Sequence, residues 1–172
     1  STVIHTPTSE ELADIAVQAA NVARHLGHIP RVGLLSFANF GNPTMKGTER
    51  IHEAIEILNK RKVDFEYDGE MSADVALNKD LLKLYPFSGL SEPANVLIMP
   101  GLHSANIAAK LLGQVGGGQV MGPVLTGFSK SVQIMPIGAN VSEILNYAMF
   151  AAYDAVPIKG KDTRKLSKIS NK

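Results

Sequence analysis

The chain has 172 residues, 45% hydrophobic and 19% charged, which is the composition of a globular protein long enough to bury a sizeable core. With no cysteine, disulfides, thiolate metal sites and thiol nucleophiles are excluded. The formal net charge of +1 hides an uneven spread: residues 159–172 hold six Lys/Arg against one acid, leaving eleven basic and fifteen acidic residues before them, a net of about −4 that argues against a nucleic-acid partner.

Thr8 with Glu11 forms a capping box, and Leu12, Ile15, Ala16, Ala19, Val22, Ala23 and Leu26 then recur at helical spacing up to a stop at Gly27. Residues 31–37, R-V-G-L-L-S-F, make a near-continuous apolar run suited to a strand buried on both faces of a parallel sheet. The turn-rich loop A-N-F-G-N-P follows at 38–43. A second helix is expected to start between Thr44 and Thr48, with Ile51, Ala54, Ile55 and Leu58 on one stripe opposite Glu49, Arg50, Glu53, Glu56 and Lys60. Alternation over 63–67 predicts a second strand ending at Asp68-Gly69, and a helical segment over 72–84 has a candidate break at Asn78-Lys79-Asp80. Residues 86–93 crowd Pro, Ser and Gly into a loose stretch.

Residues 96–99 read as a short strand ending at Pro100-Gly101, after which a helix is expected to open near Ser104. A glycine-rich turn leads into a further apolar run before residue 127, and 132–135 read as a short final strand. Asn140 with Glu143 signals an N-cap, and Ile144, Leu145, Ala148, Ala151, Ala152 and Val156 continue that helix towards Pro157. This alternation predicts an α/β fold: a mostly parallel sheet of about five strands with helices on both faces. Ligands in such sheets bind at the carboxyl ends of the strands, so residues 100–106 and 126–131 are expected to share one rim. No apolar run is long enough to span a membrane, and residues 1–10 do not read as a secretory signal.

Gly113, Gly116, Gly117 and Gly118 do not form a dinucleotide fingerprint, because Met121 stands where the last glycine belongs and the cluster precedes a strand. A helix C-cap and loop is the better reading, and no phosphate loop of the Walker type is present. His5, His25, His28, His52 and His103 contain no pair at the i, i+4 zinc spacing, so no metal site is expected. His25 and His28 close the first helix; only His103 falls on the rim, where the alternative is a packed or solvated loop residue. Asp68-Gly69-Glu70 looks like a strand-end turn. Three rim segments offer backbone N–H groups and short polar side chains that suit a phosphate-bearing or pantetheine-like ligand: Asn39-Phe40-Gly41-Asn42, Ser104-Ala105-Asn106 and Gly127-Phe128-Ser129-Lys130. The candidate ligand residues are Asn39, Gly41, Asn42, His103, Ser104, Asn106, Gly127, Ser129 and Lys130, with ordinary turn chemistry as the alternative.

At these residues a resemblance becomes specific. S-F-A-N-F-G (36–41), D-G-E-M-S-A-D-V-A-L (68–77), A-N-V-L-I-M-P (94–100), S-A-N-I-A-A-K-L (104–111) and G-P-V-L-T-G (122–127) together resemble the phosphate acetyl/butyryltransferase family. More narrowly, they are similar to the C-terminal phosphotransacetylase-like region of bacterial NADP-dependent malic enzymes. The resemblance implies an isocitrate-dehydrogenase/phosphotransacetylase-like fold, with residues 8–157 as the later half of such a domain and 158–172 as a flexible basic tail.

Working transferases of this family carry a Ser-Arg pair and then an Asp where this chain has Pro136, Ile137 and Glu143. Proline has no hydroxyl, isoleucine lacks the bidentate fork that suits arginine to phosphate, and a coenzyme A thiolate would lose its electrostatic help. The resemblance therefore implies no catalytic residue in this segment. The malic enzyme relatives use the region for assembly and for sensing acetyl-coenzyme A, while an N-terminal catalytic region oxidises malate with NADP and a divalent metal, Mg or Mn. The expectation is a cytoplasmic regulatory and oligomerisation segment, at least dimeric, that binds acyl-coenzyme A or phosphate and has no cofactor of its own. A fragment of an active phosphate acetyltransferase and a purely structural dimerisation module are the alternatives.

Overall fold

The first helix is set by local chemistry. In α1 (Ser9–His25) the Thr8 hydroxyl accepts from the Glu11 N–H and the Glu11 carboxylate accepts from the Thr8 N–H, closing the expected capping box. Thr8→Ala should therefore cost about 1 kcal/mol in chemical denaturation, with the helix otherwise intact. The computed structural model describes residues 4–43, 48–117, 120–128 and 130–156, so the basic tail expected at 158–172 lies outside the described residues. The chain divides into two units, Ser1–Gly122 and Pro123–Lys172.

The first unit continues with β1 (Arg31–Leu35), α2 (Glu49–Arg61), β2 (Glu66–Met71), α3 (Ala73–Leu77), α4 (Lys79–Leu82), β3 (Val96–Ile98) and α5 (Leu102–Val115). Its sheet is parallel in the order β2-β1-β3. Successive side chains of a strand point to opposite faces, and two cores follow from that. Val32 and Leu34 of β1 join Leu12, Ala16, Ile51, Ala54 and Leu58 of α1 and α2 on one face. Leu35 joins Met71, Val75, Ala76, Leu82, Leu90 and Ala94 on the other. Helices on both faces of a parallel sheet are thus present as expected. Burying a leucine such as Leu12, Leu34 or Leu58 contributes roughly 1.5–3 kcal/mol each. Arg61 ties the two helices of the first face together through Glu10 and Asp14, both at 2.7 Å.

β2 does not end at Asp68-Gly69 but runs on to Met71. Pairing with β1 sets its length: Arg31 stands opposite Glu66, Leu34 opposite Gly69 and Leu35 opposite Met71, so the register slips by one residue at Glu70. A bulge reverses the side-chain alternation beyond it, which is why Met71 reaches the second core although Tyr67 packs on the first. Asp68 makes no turn here; its carboxylate accepts from Ser88 and the Gly89 N–H and fastens the 88–89 loop to the strand. The helical segment after β2 breaks at Asn78, whose backbone N–H donates to the Asp74 carbonyl at the end of α3 and whose side chain caps α4 by accepting from the Asp80 and Leu81 N–H groups. α5 opens two residues before Ser104, after Gly101, and Ser104 lies in its first turn with its hydroxyl donating to the Gly101 carbonyl at 2.9 Å.

Three strands pair among the described residues, not five. The apolar run before residue 127 and the strand expected at 132–135 join no ladder among the described residues. In the second unit the Leu125 N–H donates to Gln133 Oε1 (3.0 Å) and Gln133 Nε2 donates to the Leu125 carbonyl (3.3 Å), so a side-chain amide occupies the groups a neighbouring strand would use. Val132, Ile134 and Met135 are all exposed, which removes the buried face that fixes a strand register. α6 (Val141–Asp154) follows with the expected capping box of Asn140 and Glu143, and buries Tyr147 and Phe150.

Candidate functional site

The carboxyl ends of β1 and β2 meet around the loop that follows β1. Asn39 and Asn42 exchange N–H to carbonyl hydrogen bonds at 2.9 and 3.0 Å, which folds the loop back on itself. Phe40 and Gly41 between them take positive φ values of 50° and 87°. Four consecutive N–H groups are used inside the protein: Asn39 and Asn42 on each other, Phe40 on the Glu70 carbonyl (2.9 Å) and Gly41 on Glu70 Oε1 (3.0 Å). A ligand at this loop therefore meets its side chains and carbonyls. The Asn39 Oδ1 accepts from both the Ser72 N–H (2.7 Å) and the Ser72 hydroxyl (3.0 Å), binding the loop to the end of β2. Ser72 in turn holds the Asp74 carboxyl below its ordinary range by hydrogen bonding to it.

Glu70 is the residue sequence reasoning missed. The bulge turns its side chain inward to 0% exposure, where Oε1 takes the Gly41 N–H and lies 3.4 Å from His52 Nε2 of α2. Its Oε2 has no hydrogen-bond partner among the described residues. Bulges are over-represented beside active sites because they re-aim one side chain, and this one aims a carboxylate at the loop. The signal available in the sequence was the acid inside D-G-E-M, read there as part of a turn.

His103, Ser104 and Asn106 lie at the start of α5, beyond β3. Because β3 pairs parallel to β1, their segment and the Asn39-Asn42 loop both follow carboxyl ends of adjacent strands. His103 and Asn106 border a cavity of about 260 Å³ that also meets His5, Leu102 and Ile107. Gly127, at a φ of 84°, and the exposed Lys130 belong to the second unit, and Ser129 lies outside the described residues. There the Pro136 carbonyl accepts from the Ala139 N–H (3.1 Å), Ile137 is fully exposed, and the Glu143 carboxylate accepts from the Asn140 N–H (2.8 Å).

A wider groove of about 870 Å³ runs beside β2, with Phe87 on its wall in ring contact with Phe40 of the loop. Its charged groups are committed within the protein: Arg24 pairs with Asp64 at 2.8 Å and Glu66 accepts from Ser91. Burial raises the Tyr67 phenol on its wall above the ordinary value, helped by the charge of Asp68. Among the described residues no group of three or more His, Asp or Glu is placed to hold a metal ion, and no helix is long and apolar enough to cross a membrane.

Residues 1–152 match the phosphate acetyl/butaryl transferase family. An NADP-dependent malic enzyme of Rhizobium meliloti (strain 1021) is 54% identical over 155 residues, covering 90% of this chain and 20% of that protein. A phosphate acetyltransferase of Clostridium acetobutylicum is 34% identical over 151 residues, covering 87% of this chain and 45% of the relative. The crystal structure of a phosphotransacetylase from Streptococcus pyogenes superimposes with a TM-score of 0.84 at 30% identity, over 89% of this chain and 47% of that one. The chain thus spans about a fifth of the malic enzyme and just under half of the two transferases. It belongs to the phosphate acetyl/butaryl transferase family, in the portion that NADP-dependent malic enzymes and phosphate acetyltransferases have in common.

Proposed function

We propose that this chain is the regulatory and oligomerisation segment of an NADP-dependent malic enzyme, that it senses acetyl-coenzyme A, and that it does not transfer acyl groups by itself. The observation that carries the reading is the pair Pro136 and Ile137, which supplies neither hydroxyl nor guanidinium where the resemblance places a Ser-Arg pair. Glu143, the candidate for the acid that follows, spends its carboxylate on capping α6. Identity of 54% to a malic enzyme supports the parent assigned here. In that parent, a separate region would oxidise malate to pyruvate with NADP and Mg or Mn, this segment holding no cofactor for that reaction. Coupling of ~1–3 kcal/mol between the two regions suffices for regulation, provided acetyl-coenzyme A binds two global states unequally.

Assembly is supported by apolar side chains left in solvent within each unit: Ile107, Leu111, Leu112 and Val115 on α5, and Val141, Leu145 and Met149 on α6. The partner we assign is a second copy of the chain, in the cytoplasm, with no nucleic acid or membrane involved. Full-length parent supplied with acetyl phosphate and coenzyme A should form no acetyl-coenzyme A above background. Robust turnover would overturn this reading in favour of a phosphate acetyltransferase fragment, which the 34% identity to the Clostridium enzyme favours. Calorimetric titration of acetyl-coenzyme A into the same protein should saturate; a flat trace with intact oligomers would leave a structural dimerisation module.

A further inference from the structure

The amino-terminal segment crosses the start of α5. The Leu102 N–H donates to the His5 carbonyl at 3.0 Å. A β-carbon on Gly101 would stand 3.2 Å from that same oxygen, a tight contact that glycine avoids. This crossing sets the His5 ring beside the His103 ring, with centres 4.8 Å apart and planes at 79°. Both histidines are exposed, and both line the cavity of about 260 Å³ with Asn106. His103 and Asn106 stand three apart on α5, which puts them on one helix face.

We propose that His5 and His103, with the Asn106 side-chain oxygen as a third donor, form a site for a divalent transition ion of the zinc, nickel or copper class. Imidazole is the commonest protein ligand for such ions, and a donor set without carboxylate or thiolate selects them over magnesium or calcium. The spacing fits. A metal–nitrogen bond of about 2.0–2.1 Å puts an ion roughly 3.2 Å from each ring centre, so two rings on one ion, between octahedral and tetrahedral angles, stand roughly 4.5–5.2 Å apart. The observed 4.8 Å lies inside that interval. The observed contact is edge-to-face at 79°, so ion binding requires the exposed rings to turn until both present a nitrogen, with water filling the remaining positions. Two imidazoles and an amide make an open site, so the affinity belongs in the micromolar range, below that of closed four-ligand sites.

Titration of the chain with nickel chloride or zinc chloride should give one bound ion per chain by calorimetry. Nickel should broaden the ring proton resonances of His5 and His103 before those of the other histidines. His5→Gln and His103→Gln should each weaken binding at least about tenfold with an unchanged far-ultraviolet circular dichroism spectrum, because both side chains are exposed. His28→Gln, at a histidine outside this cavity, should leave the affinity unchanged. The assignment is overturned if no ion binds at millimolar metal, if binding survives both rim variants, or if His28→Gln removes it.

Discussion

Glu70→Ala is expected to lower the unfolding free energy by about 2–4 kcal/mol, while Glu70→Gln stays within about 1 kcal/mol of the unsubstituted chain. Alanine removes the acceptor of the Gly41 N–H and leaves space behind the loop, at a residue with 0% exposure. An orphaned buried donor alone costs about 1–3 kcal/mol, and the lost packing adds to it. Glutamine keeps a carbonyl oxygen for Gly41 and changes only the other side-chain atom, Oε2, which has no hydrogen-bond partner among the described residues. His52 contributes less, since its side chain is half exposed and water solvates it when Glu70 is gone, so His52→Ala should cost under about 1 kcal/mol. Urea denaturation of the three variants measures this order. Glu70→Ala as mild as His52→Ala would remove the case that the bulge holds the loop, as would Glu70→Gln as harmful as Glu70→Ala.

The same residue marks what the sequence could and could not reveal. Features resting on neighbours in the chain were legible: the capping boxes Thr8-Glu11 and Asn140-Glu143, the break at Asn78 and the buried stripe Ile51, Ala54, Leu58 all have their cause within a turn or two. The bulge at Glu70 has its cause in β1, through a parallel register that no local pattern encodes, and D-G-E therefore looked like a turn. Residues 120–126 and 132–135 erred the other way. Their apolar runs satisfy a strand pattern, but Gln133 takes the Leu125 backbone groups, and Val120, Met121, Val132, Ile134 and Met135 stay in solvent. Of the rim, the loops that follow β1 and β3 were readable, whereas the internal use of the loop N–H groups and the meeting of His5 with His103 depend on contacts between distant segments.

Gly69→Ala should be comparably damaging, at about 3 kcal/mol or more, although it adds one methyl group. A β-carbon there would lie 2.6 Å from the Leu34 carbonyl oxygen and 2.8 Å from the Leu34 β-carbon. Both atoms belong to the central strand, whose own position is set by Val32 and Leu34 in the first core and Leu35 in the second. No flexible side-chain end can yield; β2 has to move off β1. Overpacking in a close-packed core costs typically about 1–3 kcal/mol, and weakened ladder hydrogen bonds across β1 and β2 come on top of it. Gly41→Ala separates this steric cause from glycine's conformational freedom. Gly41 has a φ of +87° with open space around its absent side chain, so only the left-handed backbone opposes a methyl group, at about 1–2 kcal/mol. Equal losses at the two glycines would show that β2 adjusts freely against Leu34. A loss at Gly69 well above that at Gly41 would place the larger constraint in the contact between these two strands.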